Sequence, residues 1–379
     1  MKKSKMYLSG LFLIFSFVFI ANIQSQIRNE FNLPDVMGYK VLKCDFHLHT
    51  IYSDGEVWPP LRVEEAWRQG LDVIALSDHI DENYIRNIMP ENRNLPYTLA
   101  EPLAEKYGIT LIKGGEISKA DPPGHLNAIF LTDVESLNKK NYQDAVKAAV
   151  DQGAFVFWNH PGWKQPGFKS VWYLEQDTLY KKGWLKGIEV INGIYYDPIA
   201  HQWCIDKGLT MLADADAHLP TAYEFNLDRG EHRTMTLVLA KDYTIEAVKD
   251  ALLNQRTILY YQNILIGEKK YLSPLFENSI LIKNPNVTFK GRSTEYIFIT
   301  NNSSMDYELE SITDSDLLRF PTKLKLYAGT TTALEVRPKS RETTGERQIT
   351  LVYKVKNLMI LPEQFMTYEL KIKGDFQPK

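Results

Sequence analysis

The chain has 379 residues with 44 Lys and Arg against 47 Asp and Glu, a formal charge of −3 that offers no field for gripping nucleic acid. Its 44% hydrophobic and 24% charged residues exclude global disorder, and its length suits one large domain or two. Two cysteines, Cys44 and Cys204, exclude a disulfide scaffold and a Cys-rich zinc site, so any metal must sit on histidines and carboxylates.

The chain opens with Lys2, Lys3 and Lys5, followed by an apolar run from Tyr7 to Ala21 and a polar stretch from Asn22 to Gln26. That order predicts a signal peptide over residues 1–25, with an uncleaved anchor as the other reading of the run. No later segment is long and apolar enough to span a bilayer, so a secreted or periplasmic protein without a membrane span is expected. Export makes a Cys44–Cys204 disulfide chemically possible; two buried thiols are the alternative.

From residue 38 to 272 short apolar runs alternate with amphipathic stretches. Strands are predicted at Val41–Phe46, Val73–Ser77, Ile109–Ile112, Leu126–Leu131, Ala154–Trp158, Gly187–Ile191 and Thr210–Ala213. Helices are predicted at Pro60–Gln69, Tyr97–Tyr107, Tyr142–Gln152 and Pro198–Lys207, with Gly70, Gly108, Gly153 and Gly208 as stop signals. Alternation of this kind predicts a parallel sheet closed into a barrel, or an open doubly wound sheet. From residue 275 to 379 only β-type segments are expected, at Ser279–Ile282, Tyr296–Thr300, Leu324–Tyr327, Thr332–Val336, Gln348–Val355 and Thr367–Ile372. They predict a small immunoglobulin-like β-sandwich.

All eight histidines lie between His47 and His232, and most stand at strand ends. His47 and His49 close the first predicted strand and His79 the second; Glu116 follows the third, His160 the fifth, and Asp216 and His218 the seventh. In a barrel, such ends share one face, where active sites are built. Residues i and i+2 of an extended strand point the same way, so His47 with His49, and Asp216 with His218, can each offer two donors to one ion. A single His-x-His is weak evidence, but its recurrence at successive strand ends points to a metal centre.

These motifs resemble the PHP (polymerase and histidinol phosphatase) superfamily of metal-dependent phosphoesterases. The matching residues are Asp45–His49 with Ser53-Asp54-Gly55, Ser77-Asp78-His79, Glu116, Gly124-His125, His160-Pro161 and Asp216–His218. The resemblance implies a distorted (β/α)7 barrel, and the appended β domain is similar to that of exported Sb-PDE-type phosphodiesterases. It further implies two or three divalent metal ions. His47, His49, Glu116 and Asp216 would hold the first, with Glu116 bridging to a second on His125 and His160; Asp54, His79 and His218 would hold a third. Imidazole with carboxylate suits Mn, Fe or Zn. Such ions lower the pKa of a bound water from about 15.7 to about 7, supplying the hydroxide that attacks phosphorus.

The expected function is therefore a metal-dependent phosphodiesterase acting on a small-molecule phosphate ester, with His47, His49, Glu116 and Asp216 at the catalytic centre. His232 and Arg233 are candidates for binding the substrate phosphate. Trp163, Tyr195 and Tyr196 are candidates for the pocket wall, and Asp45, Asp78 and Asp214 for support of the ligands. Three alternatives stay open: a phosphomonoesterase, an amidohydrolase-like C–N or C–O hydrolase, and a non-catalytic binding protein on the same scaffold.

Overall fold

The computed structural model of the chain describes residues 27–81, 92–229 and 231–378. The predicted signal peptide, residues 1–25, lies outside them. Among the described residues no helix is long and apolar enough to cross a membrane.

The barrel strands are β1 (Lys40–Asp45), β2 (Val73–Leu76), β3 (Thr110–Ser118), β4 (His125–Ile129), β5 (Phe155–Trp158), β6 (Leu185–Asn192), β7 (Tyr195–Tyr196), β8 (Thr210–Asp214), β9 (Met235–Ala240), β10 (Thr257–Tyr261) and β11 (Ile264–Ile266). Strands β1, β2 and β3 run parallel, as do β5, β6 and β8. The wholly parallel sheet expected from sequence is corrected at several pairings, β6 with β7 and β10 with β9 and β11 among them. β4 runs antiparallel to both β3 and β5, and β9 antiparallel to β1. Between β8 and β9 threonine hydroxyls help close the barrel: Thr236 Oγ1 donates to the Ala213 carbonyl and accepts from its N–H, both at 2.9 Å. The result is a distorted (β/α)7 barrel.

The helices form where sequence chemistry places them. Asp197 caps the Pro198–Lys207 helix by accepting from the N–H groups of Ile199 and Ala200, and Gly208 ends it in the left-handed conformation at φ 64°. Helices at Pro59–Arg68, Leu95–Tyr107 and Tyr142–Asp151 also match the predicted stretches within two residues at each end. Those at Leu174–Lys181, Ile245–Leu253 and Lys269–Ser279 were not predicted from sequence.

The C-terminal domain is a two-sheet sandwich. One sheet contains β13 (Asn286–Lys290), β15 (Tyr307–Ser311), β17 (Lys323–Leu326), β19 (Gly345–Leu361) and β20 (Gln364–Gln377). The other is ordered β12 (Ile280–Ile282), β14 (Glu295–Asn301), β18 (Thr331–Pro338) and β16 (Leu318–Arg319). Its strands alternate buried and exposed residues, so apolar side chains line one face of each sheet. Leu265 of β11 pairs in parallel with Leu358 of β19, making one sheet continuous from barrel to sandwich. A single buried cluster joins Met235, Leu237 and Ile258 of the barrel to Phe276, Tyr307 and Leu351 beyond it. Cys44 and Cys204 are separate buried thiols.

Candidate metal centre

The parallel strands deliver their site residues just past their carboxyl ends, and single bridges prolong the pairing there, Leu48 with Ala217 and His79 with Glu116. Strand β3 runs six residues beyond the predicted Ile112, so Glu116 lies within it. Antiparallel β4 starts at the same face, where Ser118 pairs with His125. His125 thus joins the site from the beginning of a strand. The loop bearing Asp54 folds back on the His49 backbone, where a Cβ on Gly55 would come within 2.7 Å of the His49 carbonyl carbon; only glycine fits. His160 (φ 29°) and Asp216 (φ 51°) hold left-handed backbone conformations, which are sparsely populated outside glycine and recur at functional sites.

Nine side chains converge. His47 Nε2 and His49 Nε2 lie 3.1 and 3.0 Å from Asp216 Oδ1. Glu116, fully buried, has Oε1 2.9 Å from His125 Nδ1 and Oε2 2.6 Å from His79 Nδ1. Asp54 Oδ2 lies 3.3 Å from His79 Nε2 and 3.2 Å from His218 Nε2. The donor atoms fall into four overlapping groups, each within 4.8 Å: His49, Asp54, His79 and His218; His47, His49 and Asp216; His47, Glu116 and His160; His79, Glu116 and His125. The structure brings together all nine residues predicted as ligands. It also places His79 beside Glu116 and His125, a proximity the sequence did not indicate.

The electrostatics suit divalent cations. Burial opposes charge on Asp54, but hydrogen bonds from His218 and His79 outweigh it and hold the carboxyl far below its usual range. Burial likewise works against Glu116 and Asp216, yet the histidines around them keep both ionised. Burial pulls down the histidines; Glu116 and Asp54 overcome this at His79, which is pushed up to about 11, while His49 stays at about 4. Apart from the histidine nitrogens beside them, Asp54 Oδ1, Glu116 Oε2 and Asp216 Oδ1 are buried with no hydrogen-bond partner among the described residues. His47 Nε2 and His49 Nε2 approach to 3.0 Å. Two neutral imidazole lone pairs repel at that distance, so a proton or a cation must share them. Unsatisfied carboxylate oxygens beside paired imidazole nitrogens are the donor set that Mn, Fe or Zn takes.

The chain is similar to the crystal structure of a two-domain protein from Bacteroides vulgatus containing a predicted PHP-like metal-dependent phosphoesterase. The two are 40% identical with a TM-score of 0.86, over 92% of this chain and all of that one. This chain belongs to that PHP-like family of metal-dependent phosphoesterases. It is also 28% identical to an uncharacterised protein of Methanocaldococcus jannaschii over 196 residues, which are 47% of this chain and 83% of that protein. A family model described as an Ig-like domain matches residues 280–371 of this PHP-like protein, within the sandwich.

The side residues sort differently from expectation. Arg233 is fully buried in an ion pair with Asp45, and its Nη1 donates to Gln69 Oε1 at 3.3 Å. His232 Nε2 lies 2.6 Å from the Gln69 carbonyl. The phosphate-binding role expected for His232 and Arg233 does not fit this placement, because the only guanidinium of the pair is occupied inside the protein and neither residue lines the metal-centre cavity. Asp45 accepts from the N–H groups of His47 and Ala215, Asp78 from Thr50 and Ser53, and Asp214 from Phe46. These three carboxylates tie the ligand-bearing strand ends together. Trp163 lines the cavity; Tyr195 and Tyr196 turn elsewhere, to the Phe168 carbonyl and to His201.

The sequence reading missed Glu189, Asn159 and Asn192. Glu189 Oε1 sits 2.6 Å from His47 Nδ1, and its Oε2 accepts from the His160 N–H and from Asn192 Nδ2. Asn159 Nδ2 donates to Glu116 Oε1 at 2.8 Å. A signal for Glu189 was present: a lone carboxylate inside the apolar run Ile188–Ile191 of a buried strand demands a buried partner.

Proposed function

We propose that this PHP-like protein is an exported phosphodiesterase that hydrolyses small-molecule phosphodiesters with three divalent ions, Mn, Fe or Zn. His47, His49, Glu116 and Asp216 would hold one ion, Glu116 with His125 and His160 a second, and Asp54, His79 and His218 a third. Such ions, when bound, lower the pKa of an attacking water and offset charge on the phosphoryl oxygens. The chain's own contribution is positioning. Glu189 and Asn192 fix His47 and Asp216, Asn159 fixes Glu116, and the cavity of about 190 Å³ confines the phosphate over them.

One observation carries the preference for diesters: among the described residues, no Lys or Arg lines that cavity. A monoester dianion has an extra negative charge that calls for cationic side-chain donors, whereas a diester monoanion does not. Export rests on the basic start and apolar run before residue 26, and an Ig-like domain is in keeping with an extracellular protein. The test is kcat/KM for bis(p-nitrophenyl) phosphate against p-nitrophenyl phosphate at equal metal loading. At least a tenfold preference for the diester is expected, and a preference for the monoester overturns the diester reading while leaving the metal centre standing.

A further inference from the structure

A second cavity of about 250 Å³ adjoins the metal centre and shares His125, His160 and Trp163 with it. A substituent on a phosphorus held at the metals would enter this space. Its volume lies below the roughly 300–1,000 Å³ typical of sites for larger ligands, so it suits a single ring.

Its lining is built for hydrogen bonding. Trp158 is 1% exposed, and its indole is fixed by stacking on Trp203 at 5.7 Å and 10°. Its Nε1 has no acceptor among the described residues and keeps contact with solvent, so the N–H is free to donate to a ligand in the cavity. Space beside that nitrogen depends on Gly124 (φ 74°), where a Cβ would stand 3.7 Å from Nε1 and clash with Asp121 Oδ1 at 2.3 Å. Asp121 accepts from Gln165 Nε2 at 3.2 Å and keeps its other oxygen for hydroxyl donors. Lys164 Nζ lies 3.7 Å over the Trp163 ring and pairs with no carboxylate among the described residues.

Charge selects among ligands. Lys119 is neutralised by Asp81 at 2.8 Å, leaving Lys164 and Asp121 to cancel one another. Asp121 disfavours a second phosphate, and the N–H, amide, carboxylate and ammonium groups would be left unpaired by a plain aryl or alkyl group. A neutral, polyhydroxylated ring satisfies them all, with its C–H face against an indole.

We propose that this cavity binds a sugar or cyclitol ring carried as one ester substituent of the phosphodiester. The inference rests on the phosphodiester reading above. Its test uses three p-nitrophenyl phosphodiesters, carrying glucose through its 6-oxygen, ethyl and phenyl, with the metal-loaded full chain. The sugar ester should exceed the ethyl ester at least tenfold in kcat/KM. Trp158→Phe, which keeps the ring and removes the N–H, should lower that ratio at least threefold, and so should Lys164→Met on the exposed rim, which guards against misfolding of the buried variant. Equal rates on the sugar and ethyl esters, or ratios unmoved by both substitutions, overturn the pocket assignment alone. A phenyl ester preferred over the sugar ester does the same. Turnover of p-nitrophenyl phosphate but of none of the diesters overturns the diester reading, and the pocket assignment with it.

Discussion

Replacing Glu189 by Gln isolates what a buried carboxylate does for ligands it never joins at the metal. Glu189 is 1% exposed; one oxygen faces His47 Nδ1 at 2.6 Å and the other accepts from the His160 N–H at 2.9 Å and Asn192 Nδ2 at 3.0 Å. The carboxylate thus accepts on both sides and keeps the proton of His47 on Nδ1, leaving Nε2 with a lone pair toward Asp216 and the ions. A glutamine of the same shape accepts on one side only. With its oxygen toward His47, its NH2 opposes two donors; flipped, it opposes the Nδ1 proton and favours the tautomer whose Nε2 carries hydrogen, which cannot bind a cation. Either way a charge-assisted hydrogen bond worth about 1.5–3 kcal/mol is lost. Supporting partners of this kind typically contribute about 10–100-fold in metal affinity, equivalent to about 1.4–2.7 kcal/mol. Glu189→Gln should therefore weaken metal binding by that factor in a chelator-competition titration and lower activity at limiting metal, with rescue at excess metal. Unchanged affinity in a variant with parental circular dichroism would refute the reasoning.

Glu116→Gln removes negative charge that faces His79 and His125 at once, so it should cost more kcat/KM than His125→Ala, which empties one position; equal or smaller loss would show that Glu116 does not bridge. Arg233→Met leaves Asp45 charged, buried and unpaired, and should lower stability by about 3–5 kcal/mol in urea unfolding; a loss under 1 kcal/mol would show that the pair is dispensable. A fragment ending at Ser273 deprives Met235, Leu237 and Ile258 of the core they share with Phe276 and Tyr307, so it should fail to give a cooperative thermal transition; a cooperatively folding fragment would refute the shared core as a requirement. His201 is buried, and burial lowers its pKa to about 4, below the ordinary 6.5. The unfolded chain then binds the extra proton, so stability is full above pH 6.5 and is lost as pH falls toward 4. Between pH 7 and pH 5 the parent should lose about 2 kcal/mol more than His201→Gln in chemical unfolding, and parallel losses would refute the assignment.

Sequence by itself determined the ingredients. Residue spacing at strand ends marked seven of the nine side chains of the metal centre, because parallel strands carry their terminal residues to one face whatever lies between them; Asp54, in a loop, and His125, at the start of an antiparallel strand, came only with the resemblance to the PHP superfamily. Helix stops at Gly108 and Gly208 were equally legible, since only glycine takes left-handed backbone freely. What only the tertiary structure decided is direction, partnership and continuity. The run from His125 to Ile129 reads the same in either direction, because side-chain alternation carries no polarity; its antiparallel course follows from the tight return after β3. Arg233 looked available to a phosphate because sequence shows a charge and not its neighbour; 188 residues away in the chain, Asp45 holds it inside the protein. Glu189 gained its function in the same way, from a histidine 142 residues distant. The change from α/β to β pattern near residue 275 suggested a separable domain, but apolar faces on both sides of that point bury against one another, and burial is settled by which surfaces meet in space rather than by order along the chain.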